Sequence, residues 1–206
     1  MVSPSKPLLE GSRKNLTALV EMHDELAAGG GVIVVGGPRG VGKALLLGEL
    51  RKELAGRGRL VLFGRAEQAS TQPSAALREP AAQALAFLEA RGAAEDFVDA
   101  HARAVNVLMP QLSGFARSSA RGAPRARDKA AFFEALRAFF TELSHLQPLT
   151  LILSDLHAGD DDTRDAVRFL AQHLFNPEPG AEPVEGFCGV LICGTRTDDE
   201  ATQAAA

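Results

Sequence analysis

Cysteine is scarce: only Cys188 and Cys193 occur among 206 residues. Two thiols alone do not make a zinc site, and their odd spacing around an apolar run that reads as a strand points them to opposite faces, where they cannot easily bridge. They set the expectation of reduced packing residues in a cytoplasmic protein. Nowhere do about 18 apolar residues run together. The opening MVSPSKPLLEG also lacks an apolar core of signal-peptide length, so neither a membrane helix nor secretion is expected. A charge excess is missing too: a formal net charge of -4 gives no global attraction to nucleic acid or to an anionic membrane, and leaves only local patches for such roles. Apolar content is not lacking. At 46% it argues against disorder and supplies one α/β domain with a sizeable core.

The chain is organised around residues 31–50, GVIVVGGPRGVGKALLLGEL. A β-branched run at 32–35 suits a parallel strand covered on both faces. Gly37, Gly40, Gly42 and Lys43 then follow at the spacing of a phosphate-binding loop, G-x-x-x-x-G-K. Glycines let the backbone curl so that successive N–H groups point inward, and the helix starting near Gly42 adds the positive end of its dipole. A polyphosphate fits that concavity, so Gly37, Pro38, Arg39, Gly40, Val41, Gly42, Lys43 and Ala44 are the candidate cradle, with Lys43 on the β- and γ-phosphates. The hydroxyl that normally follows the lysine binds magnesium. Ala44 has none. A glycine-rich turn holding nothing would explain the glycines but not Lys43.

Upstream, Leu16, Leu19, Val20, Met22, His23 and Leu26 recur at helical spacing until Gly29, Gly30 and Gly31 stop the helix. His23 reads as a helix-surface or packing residue rather than a ligand. Downstream, leucines at 45, 46, 47, 50 and 54 mark a helix closing at Gly56, and residues 60–63 give a second strand, completing a βαβ unit with a right-handed crossover. Residues 64–147 are too long for a plain connection and must carry their own helices, expected over 75–90, 93–108 and 130–146. The last presents a phenylalanine stripe read as core. Between them, residues 113–129 carry Arg117, Arg121, Arg125, Arg127 and Lys129 against Asp128 alone. This is expected to be a solvated loop; a contact to nucleic-acid phosphates, or to a nucleotide on a neighbouring subunit, is the sharper alternative.

Residues 149–154, LTLILS, form the third strand and end at Asp155. A strand ending in a carboxylate supplies the second side of a phosphate site, which makes Asp155 the candidate for both the metal ligand and the catalytic group. In the alternative register Ser154 takes the metal-ligand place and Asp155 the place of the base. His157 and Asp160 lie nearby; Asp160 also suits a helix cap. A helix through Val167, Leu170, Ala171 and Leu174, a linker over 176–186 and a fourth strand in GVLICGTR follow. The expected organisation is a leader and helix over 1–28, a nucleotide-holding core over 29–197 with a helical insertion at about 70–147, and a tail over 198–206. The expected fold class is α/β: a three-layer P-loop NTPase fold with a mostly parallel sheet.

Three segments, GGPRGVGK at 36–43, LILSDLHAGD at 151–160 and LICGTR at 191–196, resemble the STAND group of AAA+-related signalling ATPases. That group includes the AAA ATPase domains found beside bacterial kinases, cyclases and tetratricopeptide repeats, and is related to origin-recognition-type ATPases. The resemblance implies that Lys43 binds phosphate, that Asp155 is the Walker B carboxylate, and that Thr195 or Arg196 lies near the γ-phosphate sensor. Ala44 and Ser154 depart from the pattern, and Ser12 and Arg13 match its N-terminal box only loosely. The fifth strand, winged helix and lid of such proteins do not follow the fourth strand, as expected of a fragment of a longer switch protein or of a degenerate stand-alone domain. ATP with weakly held Mg2+ is the implied ligand, and other domains, protein partners or a second copy are the implied contacts. The leading function is ATP-binding regulation with weak or absent hydrolysis. An active ATPase, a DNA-associated initiator module and a scaffold that binds no nucleotide are the alternatives. A guanine switch is disfavoured because no Asn-Lys-x-Asp element follows the later strands.

Overall fold

A computed structural model of the chain describes residues 10–27, 29–67, 74–109, 129–176, 184 and 186–197. Four strands, β1 (Gly31–Val35), β2 (Leu60–Arg65), β3 (Leu149–Ser154) and β4 (Gly189–Gly194), form one sheet in the order β1-β4-β3-β2. All three pairings are parallel, with Val32 opposite Leu191, Leu191 opposite Leu151 and Leu151 opposite Leu62. The two central strands are buried along their whole length. This is why they read as unbroken apolar runs rather than as alternating ones.

Alternation along each strand sends one set of side chains to each face. Ile33, Ile152, Val190 and Ile192 pack with Leu19 and Val20 of α1 (Glu10–Leu26) and with Leu47, Leu50 and Leu54 of α2 (Lys43–Gly56). Leu62, Leu151, Leu153 and Leu191 meet a helical layer on the opposite face. That layer comprises α3 (Arg78–Glu89), α4 (Ala94–Ala100), α5 (Ala102–Leu108), α6 (Lys129–Leu146) and α7 (Asp161–Leu170). The result is a three-layer α/β P-loop NTPase-like fold, with the helical insertion between β2 and β3. Among the described residues no helix is long and apolar enough to cross a membrane.

The two strands expected to flank a βαβ unit lie at opposite edges of the sheet, with β4 and β3 between them. The connection spans the sheet because the leucines of α2 pack beneath β3 and β4 as well as β1. The helix expected over 93–108 is broken at His101, whose ring centroid lies 4.4 Å from that of Phe97 in a tilted pair and 5.8 Å from that of Phe139, edge to face. Its Nε2 lies 2.7 Å from Glu142 Oε2, a contact from α6 that helical periodicity cannot register. The helix expected over 75–90 begins instead as a 3-10 turn at Ala75–Leu77. The basic segment 113–129 lies outside the described residues except for Lys129, which pairs with Asp162 at 3.0 Å and Asp165 at 2.7 Å. Most of the 176–186 linker and the tail over 198–206 also lie outside them.

His23 is fully buried and bonds through Nε2 to Thr150 Oγ1 at 2.9 Å, tying α1 to β3. Burial holds its pKa below 6.5, outweighing the hydrogen bond to the Asp24 carboxylate, while Arg59 and Arg57 lower it further. Cys188 and Cys193 are both free; Cys193 is buried and its thiol is pushed up to about 12 by desolvation. Gly64 lies where the start of α3 crosses β2: a Cβ there would stand 2.1 Å from Ala76 O and 2.9 Å from the Pro80 ring.

Gly64→Ala is expected to cost about 2 kcal/mol or more through backbone overpacking, read as a lowered midpoint in urea denaturation. A histidine kept neutral in the fold gains protons on unfolding, so its contribution is complete above pH 6.5 and fades as pH falls below that value. Melting temperature should therefore drop as the pH is lowered below about 6.5. His23→Gln should flatten that segment of the profile.

Candidate nucleotide-binding site

The loop leaves β1 at Val35, whose carbonyl accepts from the Thr195 amide at 3.1 Å, so the segment after β4 braces the point of departure. Gly36 lies close to Thr197: a Cβ at Gly36 would stand 2.9 Å from the threonine methyl. Gly40 at φ +82° and Gly42 at φ +93° take left-handed conformations that strain any L side chain. Gly42 is also the N-cap of α2, and it offers no side-chain cap to the first-turn amides. Those amides are orphan donors at the positive end of a 14-residue helix. Lys43 opens that helix and folds back, its Nζ donating to the carbonyls of Gly37 and, at 2.8 Å, Pro38. The ammonium thus sits over the loop carbonyls. Ala44, the next residue, is exposed.

Across the rim, β3 ends at Ser154. Thr150 bonds α1 and Ile152 packs with the α2 leucines, so alternation puts Ser154 on that same face. It is buried, 3% exposed. Asp155 follows in a left-handed conformation, φ +57°, which aspartate tolerates better than most residues. Its carboxylate accepts from Arg65 Nε at 3.0 Å. Arg65 ends β2 and stands in register with Ser154. His157 lies half-buried in the short turn Leu156–Ala158. Asp160 caps α7, accepting from the Thr163 amide at 2.7 Å and from the Thr163 hydroxyl. It also receives the amides of Ser74 at 3.2 Å and Ala75 at 3.4 Å. Burial pushes its pKa upward, yet these hydrogen bonds prevail and hold the carboxyl below its ordinary range. Asp160 is therefore a structural anchor between α7 and the turn before α3.

A family model described as "AAA ATPase domain" matches residues 9–179. The chain belongs to the AAA ATPase domain family. No curated protein matches it. Among solved structures it is similar to the ORC2 protein of Aeropyrum pernix, solved as ADPNP-ADP complexes, at 16% identity and a TM-score of 0.46. That alignment covers 94% of this chain and 43% of the other, so the chain spans less than half the length of that protein.

AAA ATPase domains generally bind ATP with Mg2+, and this domain's residues fit the two parts of that ligand unequally. The left-handed glycines, uncapped amides and Lys43 suit a polyphosphate. The oxygen donors that magnesium needs are poorly represented. Residue 44 carries a methyl, the strand end facing α2 carries a hydroxyl, and the nearby carboxylate is bonded to Arg65. Arg65 and Thr197 are the members of this rim that reading the sequence did not single out. Arg65 was open to detection by extending the second strand two residues, to the point where it aligns with Ser154. Thr197 had no local signal.

Asp160→Ala should lower stability by about 1–2 kcal/mol, the usual cost of a lost helix cap, measured by urea denaturation. Asp160→Asn should retain part of that, because its amide oxygen still accepts from Thr163.

Proposed function

We propose that this AAA ATPase domain is an ATP-binding regulatory module in which hydrolysis is weak or absent and nucleotide state is passed to other domains or protein partners. The observation that supports it best is Lys43 held over the loop carbonyls beside the uncapped start of α2. Gly37, Pro38, Arg39, Gly40, Val41, Gly42, Lys43 and Ala44 are the residues assigned to the polyphosphate. In this reading residues 29–197 form the working core, α1 flanks it, and ADP is the competing ligand. Ala44 and Ser154 weaken the support for hydrolysis, because both depart from the oxygen-rich pattern that charge development in a phosphoryl transfer demands.

An active ATPase is the second reading, and one observation favours it. Asp155 stands just past β3 at the same rim, and the arginine that holds it is 62% exposed. Such a pair is weak and opens readily. Asp155 would then orient the attacking water as base. An initiator-type role on DNA has less support, since Lys129, the described member of the basic segment, is engaged by two aspartates.

Lys43→Ala should weaken ATP binding about tenfold or more, the loss of a charge-assisted hydrogen bond to phosphate, measured by isothermal titration calorimetry with far-ultraviolet circular dichroism as the folding control. Undiminished binding by the folded variant would reject the site.

A further inference from the structure

We propose that this site takes its nucleoside triphosphate as the metal-free anion, with Lys43 and the α2 amides supplying the positive potential that magnesium otherwise provides. The inference rests on the nucleotide-binding reading above and goes beyond it by naming the ionic form of the ligand.

Three independent features of the rim point this way. The first turn of α2 presents a methyl at Ala44, so no side-chain oxygen stands beside Lys43 to enter a magnesium shell. The residue at the end of β3 that faces α2 is Ser154, whose hydroxyl is neutral and buried, where a hard divalent cation prefers an anionic oxygen. A Cβ at Gly194, on the neighbouring strand, would lie 2.8 Å from Leu47 Cδ1 and 3.5 Å from Ser154 Cα. Leu47 of α2 and the Ser154 backbone thus both lie close to Gly194. Asp155, the carboxylate next along, leaves the strand in a left-handed turn and is bonded to Arg65 at the far edge of the sheet.

Charge then decides which ionic form is preferred. Magnesium bound to a triphosphate cancels two of its negative charges and demands a near-ideal octahedral shell of oxygens. With no anionic side chain at residue 44 or 154 and the Asp155 carboxylate engaged by Arg65, the metal gains little from the protein. It also weakens the attraction between the phosphates and the ammonium and helix end that face them. The free anion keeps its full charge for those groups.

The test uses the full chain, stripped of metal, titrated with ATP by calorimetry in EDTA and again in excess magnesium at matched ionic strength. The expected dissociation constant in EDTA is equal to or lower than that in magnesium, within about threefold at most. Binding weakened by EDTA beyond that factor would overturn the proposal while leaving the nucleotide site intact. Absence of binding in both buffers would overturn the nucleotide reading itself, so the two failures are distinct.

Discussion

Parallel pairing of all four strands is the constraint on which the rest depends. It sends every carboxyl end to one rim and leaves both faces of the sheet to be covered by helices. Leucines of α1 and α2 close one face, and the phenylalanines and leucines of the insertion close the other. Polar chemistry is thereby confined to the rim, where open α/β sheets gather their ligands. The glycine loop, Ser154, Asp155, Arg65 and Thr195 are all residues at or just past a strand end.

Within the rim, two aspartates five residues apart do different things because their surroundings differ. Asp160 is saturated by four donors from two segments and serves as a fixed anchor. Asp155 has one guanidinium partner exposed to water. The first is costly to disturb. The second is poised near the cost of an ordinary surface pair, which leaves its carboxylate responsive to whatever approaches the rim.

Much of this was legible in the residues themselves. The two central strands announced themselves as continuous apolar runs, and the loop as glycines and lysine at fixed spacing, because both signals are local. Asp160 was readable as a cap for the same reason. What escaped depends on contacts between distant segments. The break at His101 accompanies contacts to Phe139 and Glu142 of α6, the need for Gly64 comes from a carbonyl of the turn before α3, and the Arg65–Asp155 pair from a register between β2 and β3. The order of strands is also non-local: nothing in residues 31–65 says that two later strands will insert between β1 and β2.

That insertion has a consequence for how the molecule comes into being. Among the described strands, β1 is the first to emerge during synthesis, yet its hydrogen-bonding neighbour is β4, the last. Val35, from which the glycine loop departs, waits for Thr195 to brace it. Long-range closure of this kind is slow compared with the formation of local helices. The lysine-bearing loop is therefore translated before the β4 segment on which its bracing depends.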